Sequence, residues 1–418
     1  MRFLYNLGIW FYVGAIYVAS LFNQKAKQWV NGRQNWYRKL QAAHTMDAQT
    51  AWFHVSSLGE FEQGRPVIEG FRKQFPEIKI VLTFFSPSGY EIRKDYPGVD
   101  YVCYLPIDTP RNAKKFVSLV NPSHAFFVKY EFWFHFLKQL HAQQIPTYIF
   151  SSIFRPQQLF FKWYGAWYRN ILHFFTRIYV QNDASKTLLE SIGITHVEVG
   201  GDTRFDRVYD LAIAAQPIDL ISKFASGKPL IIAGSTWEKD EELLAAFAEK
   251  NKGKYQWIIA PHEVHEGHIQ KIEALFKLDV LRFSSATTNN ITKADVLLID
   301  SIGMLSSLYR YGTLAYIGGG FGKGIHNILE AATYGLPVVF GPNYLRFQEA
   351  CDLIERKSAF SIQNYFTFET ILQQLLKDAD FCKKAGKNAS QYVNEMRGGT
   401  QKILSNLKLN SFTNTSLL

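Results

Sequence analysis

The sequence is poor in cysteine and in net acid. Its three cysteines, Cys103, Cys351 and Cys382, lie far apart and form no CxxC pair. That excludes a disulfide framework and points to a reducing compartment for the folded part. No zinc-finger spacing, RNA-reading aromatic signature or long basic tail occurs, which argues against a nucleic-acid partner. The segment APHEVHEGH holds His262, His265 and His268, but HExH lacks the i, i+4 histidine pair of a zinc helix, so no metal site is expected. No Gly-Lys-Ser/Thr follows a glycine loop, which excludes a Walker A site. Ser56 and Ser57 lack the GxSxG context of a nucleophile elbow.

What is present is a chain of 418 residues with a formal charge of +10 and 16% aromatic residues. The length calls for two domains. Basic residues mixed with Trp and Tyr suit an anionic membrane surface. From Phe3 to Gln24 there is no charged residue, a run near the roughly 20 apolar residues that span a bilayer. Lys25, Lys27, Arg33, Arg38 and Lys39 follow it, and only Arg2 precedes. The expectation is an N-terminal membrane anchor over residues 1–24, a span or an interfacial helix, with the folded part on the cytoplasmic side. A helix docked on the protein itself is the competing reading. The segment Phe154 to Arg177 mixes aromatics with Arg and Lys, and reads equally as a bilayer-facing or a core helix.

Short apolar runs alternate with helical stretches through both halves. AWFHVSS, IKIVLTFF, VDYVCYLP, HAFFVKYEFWF, TYIFSS and RIYVQN form one series; PLIIAGST, YQWIIAP, DVLLID, LAYIGGG and PVVFGP form a second. This rhythm predicts an α/β fold of two parallel, Rossmann-like sheets, over residues 25–210 and 211–418, with ligands at the carboxyl ends of the strands in a central cleft. The final helices are free to pack back on the first domain.

The strongest local pattern is LAYIGGGFGKGIHNILEAATYGLPVVFGP. A buried strand runs into Gly318-Gly319-Gly320, then Gly322 and Gly324, with a helix expected to start near His326-Asn327. Such a turn offers backbone N–H groups to a phosphate, and Glu330 one turn on suits ribose hydroxyls. The competing reading is a tight turn that needs glycine for geometry alone. In the first half, Glu60 follows a strand and a Gly turn at a helix start. A carboxylate there can act as a base or simply favour the helix N-terminus.

HVSSLGE, FFVKYEFW, VGGDTRFD, APHE, IDSIGML and the glycine segment occur in an order that resembles the Kdo (3-deoxy-D-manno-octulosonic acid) transferases over nearly the whole chain. The resemblance implies a GT-B fold and inverting, metal-independent transfer of Kdo from CMP-Kdo to a lipid A precursor, with no cofactor. It implies Glu60 as general base and Glu131 and Arg204 as transition-state stabilisers. Pro261, His262, Ile302, Gly303, Met304, Asn327, Ile328, Leu329 and Glu330 match the CMP-contacting positions. Three departures stand out: Arg204 where Lys is common, His262 where Arg is common, and Met304 where an acid is common. The alternatives are another GT-B enzyme, such as a nucleotide-sugar epimerase, and a non-catalytic membrane-anchored nucleotide-binding protein.

Overall fold

A computed structural model describes residues 1–43, 49–225 and 227–407. The polar stretch at 45–48 and the tail 411–418 lie outside the described residues. The chain divides into two compact units. One comprises Met1–Arg207 and the chain from Arg397 onward; the other is Val208–Met396.

The N-terminal unit is built on seven parallel strands: β1 (Thr50–Val55), β2 (Lys79–Phe84), β3 (Tyr101–Tyr104), β4 (Pro122–Val128), β5 (Thr147–Ser152), β6 (Arg177–Val180) and β7 (Val197–Val199), in the order β3-β2-β1-β4-β5-β6-β7. The run TAWFHV forms β1 and is buried throughout, as a central strand covered on both faces must be. Phe53 stacks on Phe126 at 4.4 Å, and Trp52 meets Phe116, Phe127 and Phe136 edge-on or tilted. Much of the aromatic excess of the first half is therefore core packing of this sheet. The helix Gly399–Ser405 returns to this unit and sets Leu404 against Gly70 of the helix Leu58–Gln74.

The second unit also has seven parallel strands: β8 (Leu230–Thr236), β9 (Gln256–Pro261), β10 (Val280–Arg282), β11 (Val296–Leu298), β12 (Leu314–Ile317), β13 (Val338–Phe340) and β14 (Ala359–Ser361), in the order β10-β11-β9-β8-β12-β13-β14. In each sheet the winding reverses beside its first strand, between β1 and β4 and between β8 and β12. Open α/β sheets present ligand sites at the carboxyl ends of the strands at such reversals.

The N-terminal segment departs from a membrane span. It folds as a helix over Arg2–Ala19, and a second helix begins at Gln24. No helix among the described residues is long and apolar enough to cross a membrane. The reason lies in its polar residues. Tyr5 Oη donates to the buried carboxylate of Asp108 at 2.5 Å, Asn6 Oδ1 lies 2.7 Å from His135 Nε2, and Val13 is buried with Trp29 and Val30. One face of the helix is thus fixed to the domain. Much of the rest is exposed and apolar: Phe3, Leu7, Trp10, Phe11 and Val18, with Phe22 just beyond the helix. The aromatic segment after β5 divides in the same way. Phe160 is buried, Trp167 packs on Tyr5 at 5.5 Å, and Trp163 is 91% exposed.

Asp108 also accepts the backbone N–H groups of His135 and Phe136, and burial pushes its carboxyl up to about 6 despite these bonds. Tyr5→Phe removes a donor to a buried carboxylate. It is expected to cost about 1–2 kcal/mol, with a larger drop in Tm at pH 8, where Asp108 is ionised, than at pH 5. Thermal unfolding at both pH values checks this; equal Tm values for variant and parent would count against the tether.

Candidate active site

The first cluster forms where β1 and β4 end. Beyond β1, Ser56 and Ser57 lead into the helix Leu58–Gln74, with Glu60 in its first turn. Glu60 bends back so that Oε2 accepts the backbone N–H of Ser56. A side chain in the first helical turn commonly satisfies an unpaired N–H in this way. Burial raises the Glu60 carboxyl to about 7, and the charge of Glu131 adds to the rise. The N–H groups of Ser56 and Ser57 and the charge of Lys129 oppose it. The structure therefore brings Glu60 and Glu131 together as electrostatic neighbours.

Glu131 follows β4 through Lys129, whose φ of 66° turns the chain sharply at the strand end. Its carboxylate is 7% exposed. Oε2 accepts Trp133 Nε1–H at 2.6 Å and lies 2.9 Å from Nε2 of the fully buried His54. Arg204 is half-buried. It donates to Asp202 through Nε at 2.9 Å and through its own backbone N–H at 2.9 Å. Gln63, on the same helix as Glu60, donates to both Asp202 oxygens at 3.1 and 3.2 Å. Burial alone would raise Asp202; the charge and hydrogen bonds of Arg204, helped by Gln63, hold it below the usual carboxylate range. One helix thus carries Glu60 and, a turn later, the residue that braces the Arg204 partner. Sequence reading missed His54, Gln63 and Asp202. His54 and Asp202 lie inside the quoted motifs HVSSLGE and VGGDTRFD, but their roles need the fold.

The second cluster, in the C-terminal unit, forms where β8, β9 and β12 end. Gly318 N–H goes to Gly234 O at 2.9 Å and Gly319 N–H to Asp240 Oδ2 at 2.9 Å. Gly322 and Gly324 N–H go to Gly319 O, and His326 N–H to Gly318 O. These five donors are used inside the turn, so the glycines serve backbone geometry first. A Cβ on Gly318 would lie 2.2 Å from Ser235 O, one on Gly320 would lie 2.6 Å from Gly341 Cα, and Gly319 has φ of 87°. Asp240 is the pin: it also takes Trp237 N–H at 3.0 Å and Tyr316 Oη–H at 2.6 Å.

The helix starts later than expected. It spans Leu329–Thr333, and Asn327 Oδ1 accepts Leu329 N–H at 3.1 Å. Asn327 Nδ2 donates to Glu330 Oε1 at 2.9 Å. Asn327 therefore organises the helix start, and a helix of five residues has little dipole to offer. Ile328, Leu329 and Pro261 are buried, so any ligand contact there is through backbone. Ile302 is 86% exposed beside Gly303, whose φ is 98°. Met304 accepts a weak bond from Ser301.

His262 stacks on two rings that lie side by side. It is 4.8 Å from Trp237 and 4.4 Å from His326, both at 25° between planes. Trp237 Nε1 donates to His326 Nε2 at 3.0 Å. Since indole only donates, His326 is neutral with its proton on Nδ1. Burial, with the charge of His262, lowers His326 to about 4. The glycine turn, Trp237, Asp240, His268, Lys323 and His326 border a pocket of about 780 Å³; none of the nine expected CMP positions lines it. The other histidines of APHEVHEGH serve structure. His265 caps the helix Glu266–Leu275, and His268 binds buried Glu241 at 3.0 Å.

Residues 30–207 match the family model described as 3-deoxy-D-manno-octulosonic-acid transferase (kdotransferase). A 3-deoxy-D-manno-octulosonic acid transferase of Haemophilus influenzae is 23% identical over 374 residues, 86% of this chain and 87% of its own length. One of Aquifex aeolicus is 26% identical over 357 residues, 83% of this chain and 92% of its own. The fold is similar to that of a putative UDP-N-acetylglucosamine 2-epimerase from Listeria monocytogenes, with a TM-score of 0.60 at 13% identity, covering 86% of this chain and 95% of that one. At that identity the likeness concerns the fold alone. The matched first domain and the relatives aligned over most of both chains make this chain similar to the 3-deoxy-D-manno-octulosonic acid (Kdo) transferases.

Proposed function

We propose that the protein is a GT-B glycosyltransferase that moves Kdo from CMP-Kdo to a lipid A precursor of the lipid IVA type, with inversion, in lipopolysaccharide synthesis. The observation that carries this reading is Glu60. It is a half-buried carboxyl raised to about 7 in the first helical turn beyond β1, inside the matched domain. A carboxylate of that basicity is suited to take the proton of an acceptor hydroxyl as it attacks the sugar. Glu131 and Arg204 are the charged groups beside it or braced by its helix, placed to stabilise positive character on the sugar ring and negative charge on the carboxylate or phosphate. In the second unit, the turn at Gly318–Gly324 and the ring stack at His262 would hold CMP. Cytidylate is a good leaving group, so the protein has mainly to position it and balance its charge.

The lipid acceptor explains a further feature. We infer that the exposed apolar face of the N-terminal helix, together with Trp163, rests on the cytoplasmic surface of the inner membrane. The exposed Phe3, Leu7, Trp10, Phe11 and Phe22 and the ring contact between Tyr5 and Trp167 support this. A helix docked on the domain by one face and apolar on the other lies along an interface.

Two tests follow. Purified protein given CMP-Kdo and tetra-acylated lipid A precursor should release CMP and add Kdo mass. Absence of transfer, where a known transferase works, would overturn the assignment. Glu60→Gln should reduce turnover by roughly 10²–10⁴-fold while CMP binding, measured by calorimetry, stays unchanged; retained turnover removes Glu60 from the role of base.

The second test uses the raised carboxyl. A base must be deprotonated, so the parent rate should fall as pH drops below about 7. Stability runs the opposite way. A carboxyl raised in the folded state contributes stability that is full below its unfolded value and lost as pH rises towards the folded one. Replacing it with neutral Gln should therefore give a more favourable change in unfolding free energy at pH 8 than at pH 5, by on the order of 1–3 kcal/mol. The same change at both pH values would show that Glu60 is not raised.

A further inference from the structure

Two buried acceptors beside the site share one donor. Glu131 Oε2 and Nε2 of the fully buried His54 lie 2.9 Å apart. The indole of Trp133 reaches both: its Nε1 lies 2.6 Å from Oε2 and 3.0 Å from Nε2. An indole nitrogen only donates, so each of the two accepts from it. The other His54 nitrogen is turned away, to the Thr83 hydroxyl at 2.8 Å and the Thr83 carbonyl at 3.2 Å. Two buried acceptors that face each other are unfavourable unless a donor serves them. Here that donor is the indole N–H. Both contacts to Glu131 fall on Oε2, so the indole sets which way the carboxylate turns.

What sets the indole is Phe85. Trp133 is the cap residue before the helix Phe134–Ala142 and is half-buried. Its ring lies 4.7 Å from that of Phe85, with 31° between planes. Phe85 follows β2 directly, and its backbone is fixed at both ends. Its N–H donates to Val55 O at 3.2 Å, and its carbonyl accepts Arg33 Nη2–H at 2.8 Å. The N-terminal helices close on its ring. Tyr12 of the helix Arg2–Ala19 stacks on it at 6.0 Å, and Trp29 of the helix Gln24–Gly32 meets it edge-on at 5.8 Å. The Arg33 guanidinium lies over the same ring at 4.9 Å. Ring pairs at these separations attract and prefer particular orientations. An unbroken line of contacts thus runs from the first helix through Phe85 and Trp133 to Glu131.

We propose that Trp133 is a positioning residue that aims the Glu131 carboxylate, and that Phe85, with the N-terminal helices behind it, holds the indole in place. The docked face of the first helix then has a use besides anchoring: it braces the site. The consequence for catalysis rests on the transferase reading above; the holding of the indole does not. Chemistry separates the two parts. The indole supplies a hydrogen bond, whereas the Phe85 ring supplies only a surface. Trp133→Phe keeps a ring against Phe85 but removes the donor, which leaves two buried acceptors face to face. Phe85→Leu keeps apolar bulk but removes the ring face, and Phe85→Tyr keeps that face.

These three variants of the full chain test the proposal, with thermal unfolding to show that each is folded. The first readout needs no turnover, so it separates the proposal from a failure of the transferase reading. In protein with ¹⁵N-labelled tryptophan, the indole resonance lost in Trp133→Phe is that of Trp133. Its hydrogen exchange should quicken roughly 2- to 10-fold in Phe85→Leu, the worth of one ring pair, and less in Phe85→Tyr. Equal exchange in the parent and Phe85→Leu overturns the proposal. The second readout is kinetic. Trp133→Phe should lower kcat roughly 10- to 100-fold while KM for CMP-Kdo stays unchanged. Phe85→Leu should lower kcat by the smaller factor seen in exchange, and Phe85→Tyr should restore most of that loss. Parent kcat in Trp133→Phe, or equal losses in the two Phe85 variants, assigns these rings a packing role only and overturns the proposal.

Discussion

The N-terminal unit depends on a carboxylate held where it resists ionisation. Glu60 is half-buried in the first helical turn beyond a central strand, where the charge of Glu131 reaches it, and two backbone N–H groups offset only part of the cost. Everything around it follows from that placement. β1 must be buried on both faces to bring the chain to that point. The turn after it must leave N–H groups facing the side chain, and the neighbouring acid must be compensated. Burial and a like charge push a carboxyl up, while hydrogen-bond donors pull it down. The geometry sets the balance near 7.

The same device recurs with different outcomes. Asp202 is more deeply buried, but Arg204 and Gln63 bring it below the usual range, so it is a fixed anion that orients a cation. Asp240 in the second unit binds Tyr316, Trp237 and Gly319 together, and Asp108 binds the N-terminal helix to the start of the helix Phe134–Ala142. Each lies just after a strand or near one, where loops would otherwise be mobile. Buried acids with satisfied hydrogen bonds thus set the loops at the strand ends, where the candidate residues lie. Left unpaired, each would cost more than it gives.

How far the sequence carried depended on the length of each signal. Continuous apolar runs marked eleven of the strands, because central parallel strands are buried on both faces. The edge strands β7, β10 and β14 are three residues each, too short to show a period. The glycine turn was legible, but its use was not: five of its N–H groups bond within the protein. The helix start was placed too early because Asn327 looks like a first-turn residue, whereas it caps from outside. The N-terminal run looked like a span because it lacks charge. Tyr5 and Asn6 are uncharged but polar, and their bonds to Asp108 and His135 tie the helix to the domain. Glu60, Glu131 and Arg204 were found by motif, but no motif gave the brace from Gln63 through Asp202.

His262 shows what a single replacement does to the second unit. An arginine would bring a permanent charge and a five-donor fork. The imidazole instead stacks against both Trp237 and His326, at 4.8 and 4.4 Å, two rings that are themselves joined edge to edge. A guanidinium can also stack on rings, but its charge would persist at every working pH beside His326. His326 is already held neutral by burial and by its acceptor bond from Trp237. The stack therefore offers a ligand two things: a broad aromatic face and, on His326, a proton fixed on Nδ1. Neither is a permanent charge. Any anion held there must draw that charge from elsewhere, and Lys323 in the glycine turn lines the adjoining pocket. A ligand at the ends of β8, β9 and β12 would meet ring faces and a set tautomer, with the permanent charge in the turn.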